Sequence, residues 1–428
     1  MKSIDLSVIL PAHREGRNLA VLLPQLWHVL GDIGVKAEVL LVVPEEDPLT
    51  RSIAEDNSAS VIVQDGPGYG GALRSGFAKL SGRFVLTLDA DLSHRPEFIT
   101  SLWEARHTAE VLIASRYVRG GTARMPAARR VLSEVLNRMF ARGLGFPLRD
   151  MSSGFRLYHV GVLRQLQLSA RDFDVLQEIL VKAYAEGWRV REVPFRYEPR
   201  ASGSSHARVI PFGRAYLRTF FRLWLFRNSI LSADYDDRAF DSSIPLQRYW
   251  QRARVSILSA YLSSERPTLD VGCGSSRLIG FLPAGSVAVD ILHRKLRYAR
   301  RFEARLVRAS GFQLPFMDGA FPCVLCSQVI EHVPKVPSMI DELCRVLAPG
   351  GRLILGTPDY GSWQWPLIEA FYARLAPGAY ADEHIAHYTR GELAALFQAR
   401  GYAIEAERYI MKAELIMVLR KTQGLGAA

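Results

Sequence analysis

Cysteine is scarce in this chain, and what there is lies late. Four occur in 428 residues, namely Cys273, Cys323, Cys326 and Cys344, so no disulfide framework can organise anything before Cys273. Cys323 and Cys326 form a CxxC pair. No second CxxC or His pair at zinc-finger spacing accompanies it, which argues against a structural zinc site there. Scattered thiols fit a reducing cytoplasm. No uncharged apolar run reaches the ~18 residues a membrane span needs. Internal repeats and low-complexity tracts are absent too. The amino terminus, Met1 to Leu10, enters a strand pattern at once and does not read as a secretion signal. Acids are in deficit: 43 Asp and Glu face 54 Lys and Arg, a net charge of +11. That sign points to anionic partners such as phosphorylated substrates, an anionic membrane surface or nucleic acid. The length suggests two or three domains.

What is present is organised around Val85-Leu-Thr-Leu-Asp-Ala-Asp-Leu-Ser-His-Arg-Pro96. Val85 to Leu88 read as a buried strand. It ends in Asp89 and Asp91, one residue apart. Two carboxylates so placed can share a hard cation, Mg²⁺ or Mn²⁺, and a cation there can neutralise a leaving diphosphate. The plain alternative is that Asp91 caps the helix whose first turn contains Pro96 and Glu97.

Around this stretch the first half alternates strand and helix. Leu6 to Pro11, Val39 to Val43 and Ser60 to Val63 read as strands, with a helix over roughly 16–30 carrying Leu19, Leu22, Leu23, Leu26 and Leu30 on one face. This is the pattern of a parallel α/β sheet, which binds ligands at its strands' carboxyl ends. Gly66-Pro-Gly-Tyr-Gly-Gly71, before a helix over 72–80, can turn backbone N–H groups to phosphate. Val111 to Ser115 runs into a loop with Arg116, Arg119, Arg124, Arg129 and Arg130, whose guanidinium forks suit phosphate oxygens or form a solvated helix face. Arg149-Asp-Met-Ser-Ser-Gly-Phe-Arg-Leu-Tyr158, a strand at Glu192 to Tyr197 and the polar loop Ala201 to His206 follow. Pro211 to Ser232 mixes Phe212, Tyr216, Phe220, Phe221 and Trp224 with Arg214, Arg218, Arg222 and Arg227 and has no acid. It predicts a basic amphipathic helix, on a membrane surface or packed on its own domain.

Ser232 to Pro245 is abruptly polar and acidic and is read as a linker over 233–245 between domains spanning 1–232 and 246–428. After a helix over roughly 246–262, Pro267-Thr-Leu-Asp-Val-Gly-Cys-Gly274 is a strand ending in a glycine turn that lets a cofactor approach the backbone. Val287 to Asp290 is a second strand, ending in an acid placed to grip ribose hydroxyls.

Taken in order, SVILPAHREGRNL, GPGYGGALRSGF, DADLSHRPE, SRYVRGG, DMSSGFRLY and the EVPFRY…GSSH loop resemble family 2 glycosyltransferases with the GT-A fold. In type they are nearest the dolichol- and polyprenyl-phosphate sugar synthases, and the resemblance covers roughly 1–230. It implies that Asp89 and Asp91 hold the metal and the sugar-nucleotide diphosphate, and that Arg116 and Arg156 contact phosphate or acceptor. It places Asp150 in the acceptor-side motif and Gly203 and Ser204 in a closing loop. The sequence departs from the family in two places. The family's paired Asp after strand two is replaced by Val43-Pro44, followed by Glu45, Glu46 and Asp47, of which Glu45 or Asp47 is the candidate nucleotide contact. The closing loop carries His206 where a lysine is usual.

The later set, LDVGCG, VAVD, LPFMDGAF, SQVIEHV and LAPGGRLILGTP, resembles class I S-adenosylmethionine-dependent methyltransferases over roughly 246–421. The resemblance implies that Asp270, Gly272 and Gly274 hold the methionine end of the cofactor and Asp290 its ribose. Ser310 stands where an acid usually meets adenine, and Pro322 replaces another common Asp. Glu331-His332 matches the EH pair of quinone-type and sugar O-methyltransferases. His384 and His387 are placed to face the acceptor, where one can serve as general base; a structural or metal-bound histidine is the alternative.

The expectation is therefore an α/β chain of two domains, a GT-A fold and a Rossmann-like methyltransferase fold. It would be an enzyme that moves a sugar from a nucleotide-sugar, with inversion, to a lipid-phosphate or glycan acceptor and O-methylates a glycan, lipid or related product. Mg²⁺ or Mn²⁺ and S-adenosylmethionine are its cofactors. A phosphate acceptor needs no strong base, whereas a hydroxyl acceptor would make Asp150 that base. The competing reading is a glycosyltransferase-like binding module, weakened in turnover, that recruits a glycolipid for the methyltransferase. Nucleic acid is not expected as a partner, because stacking repeats and reading motifs are missing. A cytoplasmic protein with peripheral contact at the inner face of the membrane is the expected setting.

Overall fold

The computed structural model describes residues 3–45, 48–198, 209–262, 266–375 and 384–422. The chain forms two compact units, one of residues 1–184 and 188–224, the other of 185–187 and 225–428.

In the first unit the strands are β1 (Leu6–Pro11), β2 (Ala37–Val43), β3 (Ser60–Val63), β4 (Phe84–Thr87), β5 (Val111–Ser115), β6 (Thr122–Ala123), β7 (Arg156–His159), β8 (Val190–Pro194) and β9 (Arg196–Tyr197). Seven of them make one sheet in the order β3-β2-β1-β4-β7-β5-β8, and β6 pairs with β9 apart from it. The helix Gly16–Asp32 buries Leu19, Leu22, Leu23, Leu26 and Leu30. They pack with Leu6, Val8, Leu10 and Leu41 of the strands in one core, as the helical spacing of those leucines requires.

The sheet is mixed rather than wholly parallel. β7 lies between β4 and β5 and runs antiparallel to both, with Thr87 opposite Arg156 and Ile113 opposite Arg156. Strand direction leaves no trace in an apolar run, so periodicity could not foretell this. The reversal matters for function. It brings the amino end of β7, and Asp150 to Gly154 before it, to the edge where β4 delivers Asp89 and β5 delivers Arg116.

The second unit contains β10 (Thr268–Val271), β11 (Val287–Asp290), β12 (Arg305–Arg308), β13 (Phe321–Ser327), β14 (Leu347–Pro358), β15 (Tyr402–Ile410) and β16 (Glu414–Lys421). Their order is β12-β11-β10-β13-β14-β16-β15. The first five are parallel, and β16 is antiparallel to both its neighbours. One sheet edge therefore collects Gly272 after β10, Asp290 ending β11, Ser310 after β12, Glu331 after β13 and Tyr360 after β14.

Two stretches differ from their reading in the sequence. The acidic stretch read as linker is folded into the second unit and contains the helix Tyr235–Phe240. Its acids are not a solvated run: Asp236 accepts from Lys295 Nζ at 2.9 Å, and Asp237 from Arg277 Nε at 2.5 Å. The basic helix runs over Val209–Arg227, but its arginines are not uniformly free for a membrane. Arg227 is fully buried in an ion pair with Asp234. Arg222 reaches Glu178 at 3.2 Å. Arg218 is exposed, and the Arg214 side chain lies outside the described residues. No helix among the described residues is long and apolar enough to cross a membrane.

Candidate active sites

At the first edge, Asp89 follows β4 with its side chain 30% exposed. Its Oδ1 accepts from the Tyr69 hydroxyl at 3.1 Å, and its backbone N–H donates to His94 Nδ1 at 3.0 Å. Tyr69 stacks on Phe173 with centroids 4.5 Å apart. Burial raises the Tyr69 phenol well above its ordinary range, and the adjacent Asp89 carboxylate raises it further. Burial also pushes the His94 imidazole down, against the pull of Asp89 and Asp91. Asp91 is buried; its Oδ1 accepts from the Ser93 N–H at 3.1 Å and the Ser93 hydroxyl at 2.5 Å. The chain then turns through a short helical segment at Pro96–Phe98 that has no side-chain cap, so Asp91 does not cap it. Gly154 faces this group: a Cβ there would stand 2.8 Å from Tyr69 Oη and 3.2 Å from Asp89 Oδ1. Two oxygen-donor carboxylates at a strand end, one of them open to solvent, suit a hard divalent cation.

Arg116 and Asp150 form a two-pronged pair beside it. Arg116 Nε donates to Asp150 Oδ2 at 2.7 Å and Nη2 to Oδ1 at 2.8 Å, and the Arg116 backbone N–H adds a third bond at 3.0 Å. Ser153 N–H joins at 3.1 Å. Burial alone would raise the Asp150 carboxyl, but the Arg116 guanidinium outweighs it and holds the group below the ordinary carboxylate range. Glu192 completes the frame, accepting from Ser115 Oγ at 2.7 Å and Asp150 N–H at 2.8 Å.

Arg156 requires a correction. It was expected at phosphate or acceptor, yet it is wholly buried and donates to the backbone carbonyls of Ser153, Leu176 and Met151 at 2.7, 2.7 and 2.9 Å. Its guanidinium ties Met151, Ser153 and Leu176 to β7, and none of it is exposed. One N–H group of the glycine loop is already taken. Its helix is Gly68–Phe77, and the Gly70 N–H is spent on Arg171 O at 2.8 Å. A Cβ at Gly70 would stand 2.3 Å from Ala170 O, and one at Gly71 2.2 Å from Gly66 O. These glycines permit close backbone packing that sets Tyr69 beside Asp89. Glu45 is exposed just beyond β2. Asp47, Ser204 and His206 lie outside the described residues.

At the second edge, Gly272 has φ +76°, and a Cβ there would stand 2.2 Å from Val329 Cγ2. Only glycine fits both the conformation and the space. Asp290 accepts from Gly274 N–H at 2.9 Å and Leu292 N–H at 2.7 Å, and lone pairs remain on its oxygens for hydroxyl donors. Asp270 is pushed up to about 7 by burial and then by Asp290. Two buried acids raised together favour a cationic ligand such as the sulfonium and amine of S-adenosylmethionine. Residues that the sequence did not flag close the turn: Asp236 Oδ2 accepts from Ser275 N–H at 3.1 Å and stands 2.7 Å from a Cβ at Gly274. Ser310 forms a bridge with Gln313, and its Oγ accepts from Phe312 N–H at 3.2 Å. Asp290→Ala is expected to weaken S-adenosylmethionine binding by roughly 10- to 100-fold, the loss of charge-assisted hydrogen bonds. Calorimetry on the full chain checks this, and an unchanged dissociation constant would place the ribose elsewhere.

Beyond β13, Glu331 is wholly buried, and burial pushes it up to about 8. Its Oε2 accepts from Thr357 Oγ1 at 3.1 Å. The His384 side chain is 4% exposed and its ring lies 4.8 Å from that of His332. Burial and then the two neighbouring histidines push its imidazole down to about 4. His387 is exposed and stacks on Tyr360, centroids 3.9 Å apart. The two histidines paired in the sequence thus sit in unlike surroundings.

One unit carries a DxD edge on a mixed α/β sheet, the arrangement of a GT-A transferase, and the other a glycine turn with an acid one strand over, that of a class I methyltransferase. Comparison agrees with both. The glycosyl transferase family 2 model matches residues 7–167, and a methyltransferase domain model matches 269–355. Dolichol-phosphate mannosyltransferase of Pyrococcus furiosus is 30% identical over 53% of this chain and 66% of its own length. Polyprenol monophosphomannose synthase of Mycolicibacterium smegmatis is 31% identical over 46% of this chain and 79% of its own. Among solved structures, a SAM-dependent methyltransferase of Thermotoga maritima is 17% identical, with TM-score 0.38, over 46% of this chain and 100% of that one. The chain belongs to glycosyl transferase family 2 and carries a carboxyl-terminal methyltransferase domain, which implies S-adenosylmethionine as its cofactor.

Proposed function

We propose that the first unit transfers a hexose, with inversion, from a nucleotide-diphosphate sugar to the phosphate of a polyprenyl phosphate, and that the second O-methylates the glycan or lipid so formed. The observation that carries the acceptor class is the state of Asp150. A hydroxyl acceptor needs a base, and Asp150 is locked in a buried two-pronged pair that makes it a weak one. An anionic phosphate attacks without proton removal, so the site needs orientation rather than a base. Asp150 then acts as a positioning residue that fixes Arg116 at the edge beside Asp89. A divalent cation held by Asp89 and Asp91 would neutralise the leaving diphosphate. The names of the relatives make polyprenyl phosphate the acceptor, and mannose the sugar, to try first.

The helix Val209–Arg227 is proposed to meet the membrane where such an acceptor lies. Full-chain protein incubated with a panel of nucleotide-sugars and a polyprenyl phosphate should yield a hexosyl lipid by mass spectrometry, and a further methyl when S-adenosylmethionine is added. A product formed on free glycans but never on the lipid phosphate would refute the acceptor assignment.

A further inference from the structure

Glu331, His332 and His384 each offer a ligand atom, and these lie within 4.8 Å of one another, the only such trio of His, Cys, Asp or Glu among the described residues. Two of these residues carry a buried side-chain atom without a hydrogen-bond partner: Glu331 Oε1 and His384 Nε2. Buried polar atoms are seldom left so, and an unmet pair facing one cluster asks for an occupant. The tautomer of His384 sharpens the request. The Tyr360 hydroxyl lies 3.3 Å from Glu369 Oε1, which can only accept its proton. The Tyr360 oxygen is then left to accept from His384 Nδ1, 2.8 Å away, with Glu369 3.4 Å from the same nitrogen. Nδ1 therefore carries the hydrogen, which leaves Nε2 as the lone-pair atom that His384 can offer to the cluster. A carboxylate and a phenol orienting one imidazole nitrogen while the other points into a cluster is how proteins set a metal-binding histidine.

We propose that Glu331, His332 and His384 bind one divalent cation of the kind that takes imidazole and carboxylate together, Zn²⁺ foremost, with a position left open for the acceptor's oxygen. Two histidines and a glutamate with an open fourth position is an established donor set for catalytic zinc. The ligand atoms need only close to the ~3.4 Å spacing implied by metal–ligand distances near 2.1 Å. The site stands beside the cofactor turn, since Val329, two residues before Glu331, packs on Gly272. There the cation would bind the acceptor hydroxyl and lower its pKa. The hydroxyl proton leaves to solvent, the oxygen–methyl bond forms as the sulfur–methyl bond breaks, and S-adenosylhomocysteine departs. The catalytic role rests on the methyltransferase reading, whereas binding does not.

The test uses full-length protein with Asp89→Asn and Asp91→Asn, which removes the other candidate metal site. After chelation, exposure to ZnCl₂ and dialysis, roughly one zinc per chain should remain. That amount should fall at least about tenfold in His384→Ala or Glu331→Gln, read by elemental analysis on samples whose circular dichroism matches the parent. Should a variant unfold, Co²⁺ in the parent background gives the answer instead, through the visible bands of a tetrahedral nitrogen–oxygen site. Folded parent that keeps no zinc, or a folded His384→Ala that keeps it all, overturns the inference. S-adenosylmethionine calorimetry on the same samples separates the two readings: cofactor binding without zinc sinks the metal site alone, and zinc without cofactor binding sinks the methyltransferase assignment instead.

Discussion

Changing Asp89 and Asp91 together to Asn should abolish sugar transfer, by a factor of about 1000 or more, and leave S-adenosylmethionine binding as it was. A cation at a leaving diphosphate is worth several kcal/mol, and ~4 kcal/mol corresponds to about three powers of ten in rate. The substitution is nearly isosteric. An Asn oxygen at position 89 can still accept from the Tyr69 hydroxyl, and one at position 91 from Ser93, the contacts the carboxylates now make. Lost activity would therefore report lost charge rather than lost fold, and an unchanged melting temperature would confirm it. The Asp290 site belongs to the other compact unit, so calorimetry with S-adenosylmethionine serves as an internal control. Transfer at the full rate by wild-type protein in chelator would refute the role given to both carboxylates.

The fold was legible where the signal is local. The leucines of Gly16–Asp32, the apolar runs of β1, β2 and β4 and the glycine turn after β10 each follow from a few neighbouring residues. The site was legible only in part, because a residue type says what a side chain can bind and not whether something has already bound it. Arg156 looks like a phosphate ligand in the sequence, yet the backbone carbonyls of Ser153, Met151 and Leu176 take up its hydrogen bonds. Asp150 looks like a base until Arg116, 34 positions away, takes both its oxygens. Tyr69 and His94 lay inside motifs read for their glycines and aspartates, and the only hint of their roles was that adjacency. Asp236 had no local signal at all: its partners Ser275 and Lys295 are 39 and 59 positions distant.

The arginine-rich helix shows how the same gap reshapes a prediction. In the sequence Arg214, Arg218, Arg222 and Arg227 are the groups that would meet anionic headgroups. Arg227→Glu would now bury a carboxylate against Asp234 and damage the fold, so its effect would say nothing of membranes. The surface offers a better handle. Leu217, Phe221 and Trp224 are 51%, 61% and 37% exposed and recur at the spacing of one helical face, while Tyr216, Thr219 and Leu223 face inward. Leu217→Glu, Phe221→Glu and Trp224→Glu combined should abolish sedimentation with phosphatidylglycerol vesicles at low salt. Burying each apolar side chain in the interface contributes up to ~1.5–3 kcal/mol, so losing even half of that at three positions costs about two powers of ten in partitioning, before the repulsion of three new carboxylates. Wild-type binding should weaken as salt rises, since a protein of net charge +11 is held partly by screened attraction. Hexose transfer to a short, water-soluble polyprenyl phosphate analogue should survive the triple substitution, because the DxD edge is untouched. If wild-type protein ignores the vesicles, or the triple variant binds them as well as wild type, this face is not how the enzyme reaches a lipid acceptor.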